Sequence, residues 1–304
     1  MKISVVINNF NYEKYISEAI QSVIDQQIAA YEIIIVDDGS RDSSVAIVEE
    51  FVKRYQRVKL CVQENQGQLM AILNGVKAAS GDVICLLDAD DIYHPNHLEE
   101  VAKTFIEYPS LGMRFNDVES FNRDGVKKRY HHVHYYGDMG VTCISQYVMR
   151  KFLGNVTSSL SFGGEAADQI VSYMENYPYK HEWRLRADNC VIWLVSLFGF
   201  TKYNSDKMTV GYRIHGENGF NGNDLSDRKR MEHIVIKSRF FELAAQELGI
   251  GPWLLKNVLK EFKNSKIKHD DRLAAYVACA KEICPSEGKG KWVNQQLHAI
   301  HSEL

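Results

Sequence analysis

A chain of 304 residues with 45% hydrophobic and 25% charged residues can bury a sizeable core, as one large domain with an extension or as two domains. Its formal net charge of −3 gives no ground for a nucleic-acid partner. The six cysteines, at 61, 85, 143, 190, 279 and 284, form no C-x-x-C pair, and Cys85 and Cys190 lie inside apolar runs, which is the usage of reduced, buried thiols in a cytoplasmic protein.

Residues 2–7 read as a buried strand, and this apolar stretch is too short for a signal peptide. A polar loop follows at Asn8-Asn9-Phe10-Asn11-Tyr12. Residues 13–27 carry apolar side chains at 16, 19, 20, 23 and 24, the spacing of one helix face. A second buried strand, 32–36, ends in Asp37-Asp38-Gly39-Ser40, after which Asp42 or Ser43 can cap a helix bearing Val45, Ile47, Val48, Phe51 and Val52. Residues 58–62 form a third strand, 64–68 a loop, and 69–79 a small-residue helix closed by Ser80-Gly81. The unbroken apolar run Val83-Ile84-Cys85-Leu86-Leu87 predicts a fourth strand, buried on both faces, that leads into Asp88-Ala89-Asp90-Asp91. Strands and helices alternating through 90 residues call for a mostly parallel sheet with right-handed crossovers.

Four polar loops therefore reach one sheet edge, at 8–12, 37–40, 64–68 and 88–91, and open α/β sheets bind ligands outside the carboxyl ends of their strands. Crowded carboxylates repel, so the acidic run is stable mainly with a hard cation such as Mg²⁺ or Mn²⁺; a helix-capping acidic turn is the alternative. Neither G-x-G-x-x-G after the first strand nor G-x-x-x-x-G-K-[ST] occurs, which disfavours a backbone phosphate cradle. A metal on Asp90 bridging a diphosphate would hold the anion instead, leaving Asp38 to accept hydrogen bonds from a base N–H or a ribose hydroxyl.

Further on, Pro95 opens a helix bearing Leu98, Val101, Ala102 and Phe105, and a strand is expected near 113–118 with a turn at 122–125. The one- and two-residue spacing of His131, His132 and His134 fits no common zinc pattern. Trp183-Arg184-Leu185-Arg186-Ala187-Asp188 precedes an apolar helix, 190–200, about half the length that spans a bilayer, and Asp188 would serve it well as an N-cap. A short strand at 207–210 leads into Gly211-Tyr212-Arg213-Ile214-His215-Gly216-Glu217-Asn218. Residues 227–304 carry almost no strand signal and at least three amphipathic helices, at 228–248, 252–262 and 271–283. Lys256, Lys260, Lys263, Lys266 and Lys268 form a basic side, read as a solvated face or as an approach to anionic headgroups or a polyanionic acceptor.

Val5-Val6-Ile7-Asn8-Asn9-Phe10-Asn11-Tyr12, Ile35-Val36-Asp37-Asp38-Gly39-Ser40, Asn65-Gln66-Gly67-Gln68 and Leu86-Leu87-Asp88-Ala89-Asp90-Asp91, in this order and spacing, resemble the family 2 inverting glycosyltransferases of GT-A fold. The resemblance covers roughly residues 1–220. It implies an α/β, Rossmann-like, mostly parallel sheet flanked by helices, with a catalytic domain at 1–222 and a C-terminal helical extension at 223–304. It implies a nucleotide-diphosphate sugar donor, with UDP the expected nucleotide, held by Asn9, Asn11, Asp38 on the base, Gln68, Asp88 on the ribose or sugar side, and Arg213. Asp90 would hold Mn²⁺ or Mg²⁺ with His215, which stands in a Y-R-x-H-x-x-N signature, and Asp188 would be the catalytic base under the acceptor hydroxyl. Asn155-Val156-Thr157-Ser158-Ser159 resembles the acceptor-side segment, followed by a strand and turn at Ser161-Phe162-Gly163-Gly164, and the loop from Arg129 to Tyr136 is expected to contact sugar rings. The acceptor would be a saccharide or a lipid-linked oligosaccharide, with the protein cytoplasmic or peripheral at the inner leaflet through its C-terminal helices.

Two positions depart from the family: Asn8 replaces the usual proline of the first loop, and Leu73 the arginine often found before the helix asparagine. Haloacid-dehalogenase-like phosphatases also end a strand in D-x-D, but near the start of their core and usually followed by Thr or Val rather than Ile92-Tyr93. Receiver domains, with a similar acidic triad, are far shorter. A catalytically silent sugar-nucleotide-binding protein of the same fold is the remaining alternative, against which Asp90, Asp188 and His215 argue.

Overall fold

The computed structural model describes residues 1–122, 125, 127–130, 133, 135–143, 146, 152–184, 186–216 and 227–247. The chain divides into two compact units, the first made of Met1–Gly137, Gly154–Ile192 and Tyr203–Phe220, the second of Asp138–Leu153, Trp193–Lys202 and Asn221–Leu304.

In the first unit, β1 (Ile3–Asn9), β2 (Glu32–Asp37), β3 (Val58–Val62) and β4 (Val83–Asp88) pair in parallel in the order β3-β2-β1-β4. Their apolar runs are explained by burial on both faces: Val5, Val6, Ile7, Ile33, Ile34, Ile35, Leu86 and Leu87 have no exposed surface. The register sets Asn8 beside both Val36 and Asp88, and Asn9 beside Asp37, so three strand ends finish level. Helices α1 (Ile16–Ile24), α2 (Ser44–Arg54) and α3 (Gln68–Ala78) make the crossovers. A Cβ on Gly75 would lie 2.3 Å from Val6 Cγ1, so only glycine lets α3 lie this close to β1.

Several elements differ from expectation. The helix expected over 13–27 is only α1, because the Tyr12 carbonyl already accepts the N–H groups of Tyr15 and Ile16 in a turn, and the Gln26 amide donates to Ser22 O and His94 O. Ser43 occupies the cap position of α2 without a side-chain cap bond, while Asp42 accepts the Ser44 N–H at 3.0 Å. After β5 (Ile92–Tyr93) and α4 (His97–Glu107), the expected strand near 113–118 is two strands, β6 (Leu111–Asn116) and β7 (Val118–Phe121), parted at Asp117. The expected turn after Ser161-Phe162-Gly163 is helix α5 (Gly164–Asn176), whose Ala166, Ala167, Ile170 and Met174 are buried at helical spacing. Its preceding strand, β10 (Ser161–Gly163), runs antiparallel between β4 and β6.

A smaller sheet is ordered β5-β12-β7-β8, with β8 spanning Lys127–Tyr130 and β12 spanning Val210–Arg213 rather than 207–210. Pairing of β12 with β5 and β7 brings the Arg213 end of β12 back toward the acidic run after β4.

The helix expected over 190–200 is α6 (Ala187–Leu197), followed by β11 (Thr201–Ser205), and β9 covers Gly137–Val141. In the second unit, α7 (Asp227–Glu247) matches the helix expected at 228–248 and packs Phe240 and Phe241 on Trp193, ring centroids 6.0 and 5.0 Å away. The helices expected at 252–262 and 271–283, the lysines from 256 to 268, and Cys279 and Cys284 lie outside the described residues. Cys85, Cys143 and Cys190 are buried, and Cys61 is half-buried. Among the described residues, no helix is long and apolar enough to cross a membrane.

Candidate active site

Asp88 ends β4, and Asp90 and Asp91 follow in a turn closed by the Asp91 N–H on the Asp88 carbonyl. Beneath them the buried Tyr93 hydroxyl donates to Leu86 O at 2.6 Å, and its ring stacks on His97, whose Nδ1 lies 2.7 Å from Thr209 Oγ1.

One carboxylate oxygen from each of Asp88, Asp90 and Asp91 falls within a group no wider than 4.8 Å. Burial, and after it the charge of Asp90, pushes the Asp88 carboxyl up to about 7 and holds Asp91 well above the usual carboxylate range. Three acidic oxygens crowded in this way are a donor set suited to a hard divalent cation, which takes oxygen ligands and cancels the repulsion.

The three carboxylates are not equivalent. Asp91 is a brace: its Oδ1 accepts the Arg213 N–H at 2.8 Å and its Oδ2 the Ser158 hydroxyl at 2.6 Å. Asp88 accepts Gln68 Nε2 at 3.0 Å, and its own N–H donates to Ser158 Oγ. Asp90 Oδ2 lies 2.9 Å from His215 Nε2, so the two residues expected to share the metal adjoin. The His215 ring lies 4.8 Å from that of Tyr15 and 5.8 Å from that of Tyr12. Arg213 donates through Nε to Asp90 O and through Nη2 to Glu18 at 2.5 Å, which ties β12 to α1.

The other expected donor-side residues build loops. Asn9 donates to Asp37 and Ser40, Asn11 Oδ1 accepts the Arg41 N–H, and the Asn11 N–H donates to Ser40 Oγ. Asp38 Oδ1 accepts from Gln63 Nε2 and the Gln66 N–H, and Oδ2 accepts the Gly67 N–H, each at 2.8 Å. Asp38 therefore holds the 63–67 loop.

Asp188 lies in the first turn of α6, one residue inside its start, so it is not the N-cap; its Oδ1 accepts the Asn189 N–H at 2.8 Å. Although the residue is half-buried, burial of the carboxyl pushes it up to about 6. Its charge is felt at both Asp88 and Tyr130, so it lies within electrostatic reach of the acidic cluster without being part of it. His131, His132 and His134 lie outside the described residues.

Sequence reasoning missed the strap that delivers Asp188. Arg184 leans over the 65–68 loop: its carbonyl accepts the Gln68 N–H at 3.0 Å and its guanidinium donates to Asn65 Oδ1. Arg186 then takes a left-handed φ of 61°. Gly67, at φ 94° and ψ 166°, is in a region essentially reserved for glycine, and a Cβ there would lie 2.7 Å from Arg184 Cα. The motif glycine was visible in the sequence, but its partner was not. Gly67→Ala should destabilise the fold by about 1–3 kcal/mol, read as a shift of the urea midpoint, because neither backbone can yield freely. An unshifted midpoint would show that the strap is loose.

Residues 4–156 match the model of Glycosyl transferase family 2. An uncharacterized glycosyltransferase of Nostoc sp., alr2836, is 33% identical over 225 residues, 72% of this chain and 66% of that protein. Glycosyltransferase GlyG of Streptococcus pneumoniae is 35% identical over 122 residues, 39% of this chain and 40% of that protein. The chain thus spans just under two thirds of the first relative and less of the second. The crystal structure of S. aureus TarS 1-349 in complex with UDP-GlcNAc superposes with a TM-score of 0.61 at 17% identity, covering 99% of this chain and 84% of that one. At that identity the likeness speaks for the fold, the expected GT-A arrangement.

Proposed function

The chain belongs to glycosyl transferase family 2, and from that premise we propose that it transfers a sugar, with inversion, from a UDP-sugar to a hydroxyl of a saccharide or lipid-linked oligosaccharide acceptor. The observation that carries this reading is the division of carboxylates: a cluster at Asp88, Asp90 and Asp91, and a separate one at Asp188 whose charge reaches that cluster. Single-displacement transfer needs this division, since the group that removes the acceptor proton must not be a metal ligand. The ligand of the TarS structure, UDP-GlcNAc, supports UDP as the nucleotide. The catalytic unit is taken as 1–222 with 223–304 as an extension, in a cytoplasmic protein that contacts the inner leaflet at most peripherally.

Asp90 and His215, with Asp88 adjoining, would hold Mn²⁺ or Mg²⁺, and the cation when bound would neutralise charge on the departing diphosphate. Asp91 keeps the turn in place through Arg213 and Ser158. Gln68 orients Asp88 toward the ribose or sugar, and Arg213 lends positive charge beside the diphosphate while fixing the Asp90 carbonyl. Asn9 and Asn11 shape the first loop against Ser40, and Asp38 accepts from the base while holding the 63–67 loop. Asp188 accepts the acceptor hydroxyl proton as the oxygen attacks the anomeric carbon from the face opposite the departing diphosphate, which inverts the configuration.

A thermal-shift panel of nucleotides and nucleotide sugars with Mn²⁺ or Mg²⁺ tests the reading, because a ligand that binds only the folded state raises Tm. UDP-sugars with metal should give the largest rise; no rise with any nucleotide would overturn the proposal. Asp38→Ala should weaken UDP binding by about 1–3 kcal/mol, the cost of leaving hydrogen-bonding groups without their charged partner. Unchanged affinity in titration calorimetry would move base recognition elsewhere.

A further inference from the structure

The last residue of β8, Tyr130, stacks on Tyr212 of β12, with ring centroids 5.9 Å apart and planes at 19°. Tyr212 is half-buried and its hydroxyl feels the charges of Asp91, Asp88 and Asp90, whereas the Tyr130 hydroxyl feels that of Asp188. One ring of the stacked pair thus lies within electrostatic reach of the acidic cluster and the other within reach of the separate carboxylate. Tyr130 keeps 39% of its surface exposed beside that carboxylate.

The hairpin carrying this ring is pinned. Asp117, 1% exposed at the break between β6 and β7, accepts Arg129 Nε at 2.7 Å and the Tyr136 hydroxyl at 2.6 Å, from either side of Tyr130 in the chain. Asn155 Nδ2 donates to Asn116 O at 3.0 Å and to Tyr130 O at 3.4 Å, tying the backbone of Tyr130 to the end of β6. An aromatic side chain so held loses little freedom when a ligand covers it.

We propose that Tyr130, backed by Tyr212, is the platform on which the acceptor's sugar ring stacks so that one of its hydroxyls meets Asp188. The electron-rich face of a tyrosine attracts the C–H face of a pyranose, and a flat apolar surface next to a few polar groups is how pockets orient such ligands. The acceptor class is then a cyclic saccharide rather than an open-chain polyol, which cannot present a flat C–H face. This deepens the glycosyl-transfer reading and rests on it.

The test uses the full chain with UDP and Mn²⁺, and saturation-transfer NMR against methyl pyranosides and their matching alditols. Pyranosides should receive saturation on their ring C–H protons and alditols should not. Tyr130→Ala should weaken pyranoside binding about tenfold, while Tyr130→Phe and Tyr130→Trp stay within about threefold, and UDP affinity by calorimetry stays as in wild type in all three. Equal binding of alditols, unchanged pyranoside binding in Tyr130→Ala, or a loss in Tyr130→Phe as large as in Tyr130→Ala overturns the platform, the last in favour of a phenol hydrogen bond. Failure of the underlying reading has a different signature: a wild-type protein that binds no UDP in Mn²⁺, which brings the platform down with it.

Discussion

Asp90→Asn should lower turnover by at least about 10²-fold and weaken UDP binding in Mn²⁺ while leaving the fold intact. Outer partners of metal ligands alone typically account for 10- to 100-fold, and Asp90 is placed to act directly: it is 7% exposed, its Oδ2 adjoins His215 Nε2, and its backbone carbonyl is fixed by Arg213. Unfolding does not explain the expected loss. The Asp90 charge is one of the causes that raise Asp88 and Asp91, so the neutral amide relieves repulsion in the metal-free protein, and its Tm should not fall. Calorimetry with UDP in Mn²⁺ and in EDTA separates the cases. If the variant binds UDP in Mn²⁺ as tightly as wild type, and EDTA changes neither protein, the acidic cluster is a structural turn and the assignment of Asp90 is wrong.

What the sequence made legible follows the strength of the physical signal. β1, β2 and β4 are unbroken apolar runs, which only burial on both faces explains, and their polar ends mark the site edge; the acidic turn could be read for the same reason. Helix α5 was obscured because its start is Gly163-Gly164, residues that normally announce a turn, and because two of its four buried positions are alanine. β11 was obscured because its sequence, Thr-Lys-Tyr-Asn-Ser, is polar: Lys202 and Asn204 are nevertheless buried, with Lys202 donating to Leu153 O and Asn204 to Val133 O and Tyr135 O. At the site, residue types and spacing pointed to the acidic run with Asp88 and Asp90, whereas Asp188 and His215 were singled out by the family resemblance. The two hydrogen bonds that Asp91 accepts from Arg213 and Ser158, and the pressing of Arg184 on Gly67, join residues more than 60 positions apart and leave no periodic trace.

The largest effect is expected at Asp188. The Asn variant keeps the shape of the side chain and an oxygen able to accept the Asn189 N–H, so α6 should start as before. It cannot take a proton. Turnover should therefore fall by about 10² to 10⁴, the usual contribution of a general base, with UDP affinity nearly unchanged, because the proposed donor-side contacts at Asp38, Gln68 and Asp90 lie on other elements. The pH dependence gives a second readout. Burial raises the Asp188 carboxyl to about 6, and a base works only when ionised, so with Asp188 as the base catalysis should be present above about pH 6 and be lost as pH falls through it. In wild type, kcat/KM should drop about tenfold per unit below that point, and in Asp188→Asn the residual rate should lack this limb. Anomeric configuration of the product by NMR completes the test: an inverted product accords with a base on the acceptor, whereas a retained one, or near wild-type turnover in the Asn variant, would exclude this role for Asp188.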